Sequence, residues 1–331
     1  MEFETVLSFR FIWPQRTTEK TRATEWTSFS SLRFSLPLWL NIQIETPPEF
    51  APALIFAQTF MMRLLFPIFF LLFSCSPNNV KEAGSFKKYF DENKVEGCFG
   101  MFDNGQGSFI IYNTERFRDS TYLPASTFKI VNSLIGIETG RVQDGQTVIP
   151  WDGIKRNIPE WNQDLKMKDA FSYSVVPWFQ ELARRIGKDT MQHYLDTLGY
   201  GSRYKRFVIQ DDLDTFWLDN SVKVTADEQL GLVKKLYFEQ LPFQQRPQRI
   251  VRSMMLREQN ANYDLSYKTG WGFSEKGHSI GWITGWIEEN KHPYFFVLQL
   301  ESGDPHYDMS TIRIKMLKEI LKQMGFMRGK K

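Results

Sequence analysis

The chain has 331 residues, 42% hydrophobic and 15% aromatic, and 41 Lys+Arg against 38 Asp+Glu leave a formal charge of +3. That composition is globular, with enough chain for one large domain or two small ones, and the charge excess is too small to point to a nucleic-acid partner. Two cysteines (Cys75, Cys98) and four scattered histidines (His193, His278, His292, His306), with no H-E-x-x-H, exclude a disulfide framework and point to no metal in the site.

Met62-Arg63 opens a short charged region, Leu64 to Phe73 is almost entirely apolar, and Leu72-Phe73-Ser74-Cys75 follows. A run of about ten apolar residues is too short to cross a bilayer and fits a signal peptide over 61–75. Its end resembles a bacterial lipobox, which implies lipidation of Cys75; the alternative is a plain secretory signal with a chance cysteine. With Cys75 lipidated, Cys98 would be a buried thiol; otherwise a disulfide between the two stays open. The expected location is outside the cytoplasm, in the periplasm, with a lipid anchor at Cys75 to the bacterial outer membrane as the only membrane contact. Residues 1–60 have no sustained period and mix Arg10, Arg16, Lys20, Arg22 and Arg33 with Trp and Pro. Translation from Met61 or Met62 would leave them unmade, and a true N-terminal extension is the alternative.

Ser76-Pro77-Asn78-Asn79 opens a tether expected over 76–88, ahead of a domain over 89–327. Strands are expected at Cys98 to Phe102 and Phe109 to Tyr112, joined by the turn Asp103-Asn104-Gly105-Gln106-Gly107. A helical middle follows. Lys129 to Glu138 has apolar residues at helical spacing and stops at Gly140, and Pro177 to Ile186 places proline in the first turn and Gly187 after the last. Thr225-Ala226-Asp227-Glu228 has the form of a capping box. Strands return at Leu265 to Trp271, Ser279 to Trp286 and Tyr294 to Leu300, before a last helix carrying Ile312, Met316, Ile320 and Leu321; Arg328, Lys330 and Lys331 read as a frayed tail. Strands at both ends around a helical block imply an α/β (α+β) fold. Its antiparallel sheet would draw on both chain ends, flanked by helices, with an inserted helical lobe and a cleft between lobe and sheet.

Ser126-Thr127-Phe128-Lys129 sets a hydroxyl and an amine at i and i+3 at the start of a helix. An unprotonated lysine can take the serine proton, and a backbone N–H at the helix tip can stabilise an oxyanion. Lys268-Thr269-Gly270-Trp271 lies on an expected strand, where the lysine and threonine can bind a carboxylate and the glycine lets substrate approach the backbone. Each motif alone is weak. No phosphate-binding glycine loop is present.

The ordered set Ser126-Thr127-Phe128-Lys129, Ser174-Val175-Val176, Tyr200-Gly201-Ser202, Phe216-Trp217-Leu218, Lys268-Thr269-Gly270 and Gly281-Trp282 resembles the motifs of the class D (OXA-type) serine β-lactamases. Trp161-Asn162-Gln163-Asp164 and Arg313 also fit. The resemblance implies a β-lactamase/transpeptidase-like fold and hydrolysis of β-lactam antibiotics through an acyl-enzyme on Ser126. It also implies Lys129, N-carboxylated by CO2, as general base for acylation and deacylation, with no other cofactor. By the same resemblance Ser174 relays a proton to the leaving nitrogen and Trp217 donates to the carbamate. Phe128, Val176 and Leu218 wall the lysine. Lys268, Thr269 and Arg313 hold the substrate carboxylate, Gly270 lies beside it, and the N–H groups of Ser126 and Trp271 form the oxyanion hole. Ser202 departs from the family's Tyr-Gly-Asn and puts the loop edge in question. On the residues alone, Ser174 could instead cap the helix near Pro177, and Arg313 could be a solvated face residue.

Two other functions share this machinery: a β-lactam sensor domain that acylates without turnover, and a penicillin-binding peptidase. The missing zinc-protease motif disfavours the first, and the Trp217-Leu218 and Ser-x-Val patterns disfavour the second. The expected ligands are small β-lactam molecules. The sequence sets neither oligomeric state nor a choice among penicillins, cephalosporins and carbapenems.

Overall fold

Alternating apolar residues make the late strands two-faced, and the sheet they build separates two cores. On the strand His292–Ser302, Phe295 and Val297 enter one core while Phe296, Leu298 and Leu300 enter the other. The computed structural model describes residues 79–331. The extension over 1–60, the signal peptide over 61–75 and Cys75 lie outside the described residues.

In chain order the strands are β1 (Val80–Glu82), β2 (Glu96–Asp103), β3 (Ser108–Tyr112), β4 (Val148–Ile149), β5 (Leu165–Lys166), β6 (Leu256–Gln259), β7 (Asp264–Phe273), β8 (Ser279–Glu289) and β9 (His292–Ser302). The helices are α1 (Lys87–Glu92), α2 (Thr114–Asp119), α3 (Lys129–Glu138), α4 (Met167–Ser172), α5 (Val176–Ile186), α6 (Lys188–Leu198), α7 (Ala226–Tyr237), α8 (Gln245–Met254) and α9 (Met309–Gln323). The main sheet has seven strands in the order β1-β3-β2-β9-β8-β7-β6, so both chain ends supply it. β4 and β5 form a separate pair. The expected antiparallel sheet holds except at one edge, where β1 runs parallel to β3.

α7 covers β8, β9 and β2 on one face, and α9 covers β8 and β9 on the other. The lobe of α3 to α6 and α8 joins the α7 side in the larger core. Thr225 caps α7 with the reciprocal Thr225–Glu228 bonds of a capping box.

Two terminal expectations change. Residues from Val80 onward are not a tether: β1 pairs with Phe109, Ile110 and Ile111, and Phe86 is buried. A three-residue strand carries too little period to be seen in sequence. The tail is not frayed either, because the buried Glu289 carboxylate accepts the backbone N–H groups of Met327, Lys330 and Lys331. Cys98 is buried and has no disulfide partner among the described residues, and burial pushes its thiol pKa up to about 12.

Candidate active site

A short 3-10 turn, Ala125–Phe128, leads into α3 and carries Ser126. Lys129, the first residue of α3, follows one turn later, and its Nζ donates to Ser126 Oγ at 2.8 Å. The serine therefore sits in a tight turn ahead of the helix rather than inside it. That turn is strained: Ala125 has φ 47, a left-handed conformation costly for a residue with a Cβ. Its surroundings hold it there. Ala125 N–H donates to Trp217 O at 3.0 Å, and the Thr127 hydroxyl donates to Pro124 O at 2.7 Å while accepting from Gln229 Nε2 at 2.6 Å.

Lys129 is fully buried, and burial alone lowers its pKa to about 7. Phe128 stacks on Trp217 with ring centroids 5.0 Å apart, and the Phe179 ring lies 5.3 Å from Nζ. Val176 and Leu218 are half-buried, at the start of α5 and the edge of the larger core respectively. The face over the amine is thus Phe179, one turn beyond Val176, which the sequence reading missed. Asn132 fixes that turn by donating from Nδ2 to Phe179 O at 3.0 Å. Trp217 Nε1 is buried with no hydrogen-bond partner among the described residues, a costly state for a donor.

The opposite wall is β7. Lys268 is 1% exposed, and its Nζ donates to Ser174 Oγ and to Thr269 O, both at 2.9 Å. Desolvation and then repulsion from Lys129, Arg257 and Arg313 hold its pKa well below the usual lysine range. Ser174 has φ 59 and does not cap α5; the cap position is Val175, without a side-chain bond. Its strained backbone instead presents Oγ to Lys268. Trp161 steadies the adjoining residue by donating from Nε1 to Tyr173 O at 3.2 Å.

Gly270 has a packing role that the sequence did not suggest. A Cβ there would lie 2.9 Å from Pro124 O and 3.2 Å from Thr127 Cγ2, so the glycine lets β7 close onto the serine turn. Tyr267 N–H donates to Met255 O at 2.8 Å. Alternate strand residues direct their N–H the same way, which turns those of Thr269 and Trp271 to the same edge, beyond the last residue that β6 pairs. Thr269 is half-exposed, and Trp271 is 44% exposed with its indole N–H fixed on Ser279 Oγ at 2.8 Å.

Arg313 on α9 is buried rather than solvated. One terminal nitrogen donates to Gly270 O, Nε has no partner among the described residues, and burial lowers the guanidinium to about 10. Ser202 accepts the N–H of Phe207 at 3.2 Å, so its hydroxyl braces its own loop. No cluster of potential metal ligands occurs among the described residues.

Ser126, Lys129, Ser174, Trp217, Lys268, Gly270 and Arg313 therefore converge. Phe179, Asn132, Gln229 and Arg257 join them without having been singled out in sequence; the helical spacing from Val176 to Phe179 was the one signal available. Such a constellation can activate a hydroxyl, hold an anion and stabilise an oxyanion.

Residues 82–322 match the family described as penicillin binding protein transpeptidase domain. The chain is 37% identical over 243 residues to β-lactamase OXA-48 of Klebsiella pneumoniae, covering 73% of this chain and 89% of that one. It is 34% identical over 231 residues to the probable β-lactamase YbxI of Bacillus subtilis, covering 70% and 82%. Among solved structures it resembles a class D β-lactamase from Sebaldella termitidis, with TM-score 0.70, 31% identity and coverage of 75% and 98%. A class D β-lactamase described as YbXI from Nostoc gives TM-score 0.68, 33% identity and coverage of 73% and 99%.

Proposed function

The chain belongs to the class D β-lactamase family and is a serine β-lactamase, and from that premise we propose that it hydrolyses β-lactams through an acyl-enzyme on Ser126 with Lys129 as general base. The observation carrying this reading is the fully buried amine 2.8 Å from Ser126 Oγ. A neutral amine there can accept the hydroxyl proton as Oγ attacks the lactam carbonyl. The backbone N–H groups of Ser126 and Trp271 receive the developing oxyanion. Ser174 Oγ, hydrogen-bonded to Lys268, relays that proton from Lys129 to the ring nitrogen as the C–N bond breaks, which leaves the amine neutral again. Lys268, Thr269 and Arg313 hold the substrate carboxylate. Water then attacks the ester, the base at Lys129 takes its proton, and Ser126 is released with its own proton restored.

We extend the reading to a carbamate on Lys129, formed from CO2 and neutral amine with loss of one proton. When present, it supplies an anionic base and turns the repulsion felt by Lys268 into attraction. The surroundings fit: an amine lowered to about 7, aromatic walls, and an indole N–H at Trp217 without a partner among the described residues. The reading also keeps the export expected from residues 61–75, with Cys75 as the lipidated anchor of a periplasmic enzyme; the mass of the mature N-terminus tests that part.

Steady-state hydrolysis of a chromogenic cephalosporin tests the whole. Turnover should continue past one equivalent, and Ser126→Ala and Lys129→Ala should each lose about 10⁴-fold or more. A burst that stops at one equivalent would replace hydrolysis by acylation without turnover.

A further inference from the structure

The cleft holds one more cation than the proposed reaction uses. Lys129, Lys268, Arg313 and Arg257 surround it, and Lys268 is repelled by the other three. Among the described residues none of the four forms a salt bridge, whereas Lys318 pairs with Glu258, a neighbour of Arg257 on the same strand, at 2.6 Å.

Arg257 leaves β6 at its irregularity between Leu256 and Glu258. Nε donates to Tyr267 O at 3.1 Å and Nη1 to Ser172 Oγ at 2.8 Å, which fixes the plane of the guanidinium. Its other terminal nitrogen, Nη2, donates to nothing among the described residues. The group is half-buried, and its pKa is lowered by desolvation, with no carboxylate to offset it. It shares a ring with the site lysine: Arg257 Cζ lies 5.8 Å and Lys268 Nζ 5.6 Å from the Phe171 centroid. Ser172, which it grips, is two residues before Ser174. A cation held from two sides, partly dehydrated and without a counter-ion, is built to receive an anion.

The substrate carboxylate already has Lys268, Thr269 and Arg313. Ser174 serves the leaving nitrogen, so the ring that leaves lies on its side of the cleft, and Arg257 stands at that end. We propose that Arg257 is a specificity-determining residue that reads a second negative charge on the leaving-ring side of the substrate. It favours cephalosporins whose C3 substituent bears a carboxylate over those with a neutral one. This rests on the reading of the site given above.

The test uses two cephalosporins with the same acyl group, one with a neutral and one with a carboxylate-bearing C3 substituent, and normalises rates to active sites titrated by acylation. For Arg257→Met the ratio of kcat/KM, anionic over neutral, should fall about fivefold, while Arg257→Lys should keep most of it. The wild-type ratio should also fall as salt is raised. A ratio unchanged in Arg257→Met, or lost equally in Arg257→Lys, would make Arg257 a strut between β6 and α4 and overturn the proposal. Failure of the wild-type protein to turn over either substrate would instead sink the hydrolase reading itself.

Discussion

The two walls of the cleft each bury a lysine, and they treat it in opposite ways. On the α3 wall, Lys129 meets the Phe179 ring and one hydroxyl. On the β7 wall, Lys268 donates to Ser174 Oγ and Thr269 O and adjoins Arg257 and Arg313. Burial is equal, 0% against 1%, so burial does not separate their roles. Acceptors do. A lysine with two oxygen partners is equipped to stay an ammonium and bind a carboxylate, whereas one among aromatic faces is equipped to give up its proton. Desolvation first and repulsion second lower the pKa of Lys268, and an anionic substrate would oppose the repulsive part.

Beyond the loss of Ser126 or Lys129 themselves, the largest effect expected is from Trp217→Phe, which keeps an aromatic ring against Phe128 and removes only the indole N–H. If that donor completes the general base, kcat should fall about 10²–10³-fold and respond more strongly to added bicarbonate. Equal loss with no bicarbonate response would reduce Trp217 to packing. On the opposite wall, Lys268→Met should act mainly on binding. KM should rise about 10²-fold with a smaller change in kcat, as for a group that holds the substrate carboxylate throughout. A change confined to kcat would place Lys268 in the proton relay instead.

The pH profile sharpens the contrast next. Lys129 is lowered to about 7 by desolvation, so neutral amine is lost as pH falls through that value. Activity should drop about tenfold per unit below it, and bicarbonate should recover part of the loss. Stability moves in the same direction. Between about 7 and the ordinary lysine value of 10.5 the folded chain holds fewer protons at this position than the unfolded chain. This group's contribution therefore rises with pH across that window, and its full penalty is felt below it. A midpoint of thermal unfolding that falls steadily from pH 7 to 10 would contradict this, once other titrating groups are held constant by comparison with Lys129→Met.

The two walls were not equally legible in the sequence. Ser126 and Lys129 are one helical turn apart, so their meeting is a local fact that spacing alone can state. The helix Lys129–Glu138 was likewise bounded by its own periodicity and Gly140. Lys268 lies far along the chain, and only the resemblance joined it to Ser174. Contacts that no motif carries were missed for the same reason: Asn132 with Phe179, Gln229 with Thr127 and Arg257 with Ser172 each join distant segments. For Ser174 a cap stayed open beside the relay because a hydroxyl ahead of a helix commonly caps it; its left-handed backbone, which redirects Oγ, depends on tertiary constraint.

The smallest effect is expected where the walls touch. Gly270 on β7 lies against the serine turn, and an added methyl would meet Pro124 O at 2.9 Å, a backbone atom that cannot swing aside. Pro124 O already accepts from Thr127 N–H and the Thr127 hydroxyl, so pushing it disturbs the turn that holds Ala125 left-handed. Gly270→Ala should therefore cost about 1–3 kcal/mol of stability by thermal unfolding. It should slow acylation more than it weakens substrate binding, because the strain falls on Ser126 and leaves the carboxylate site in place. If Gly270→Ala raised KM alone, the glycine would be serving the substrate, as its place in the motif first suggested, and the contact between the walls would be incidental.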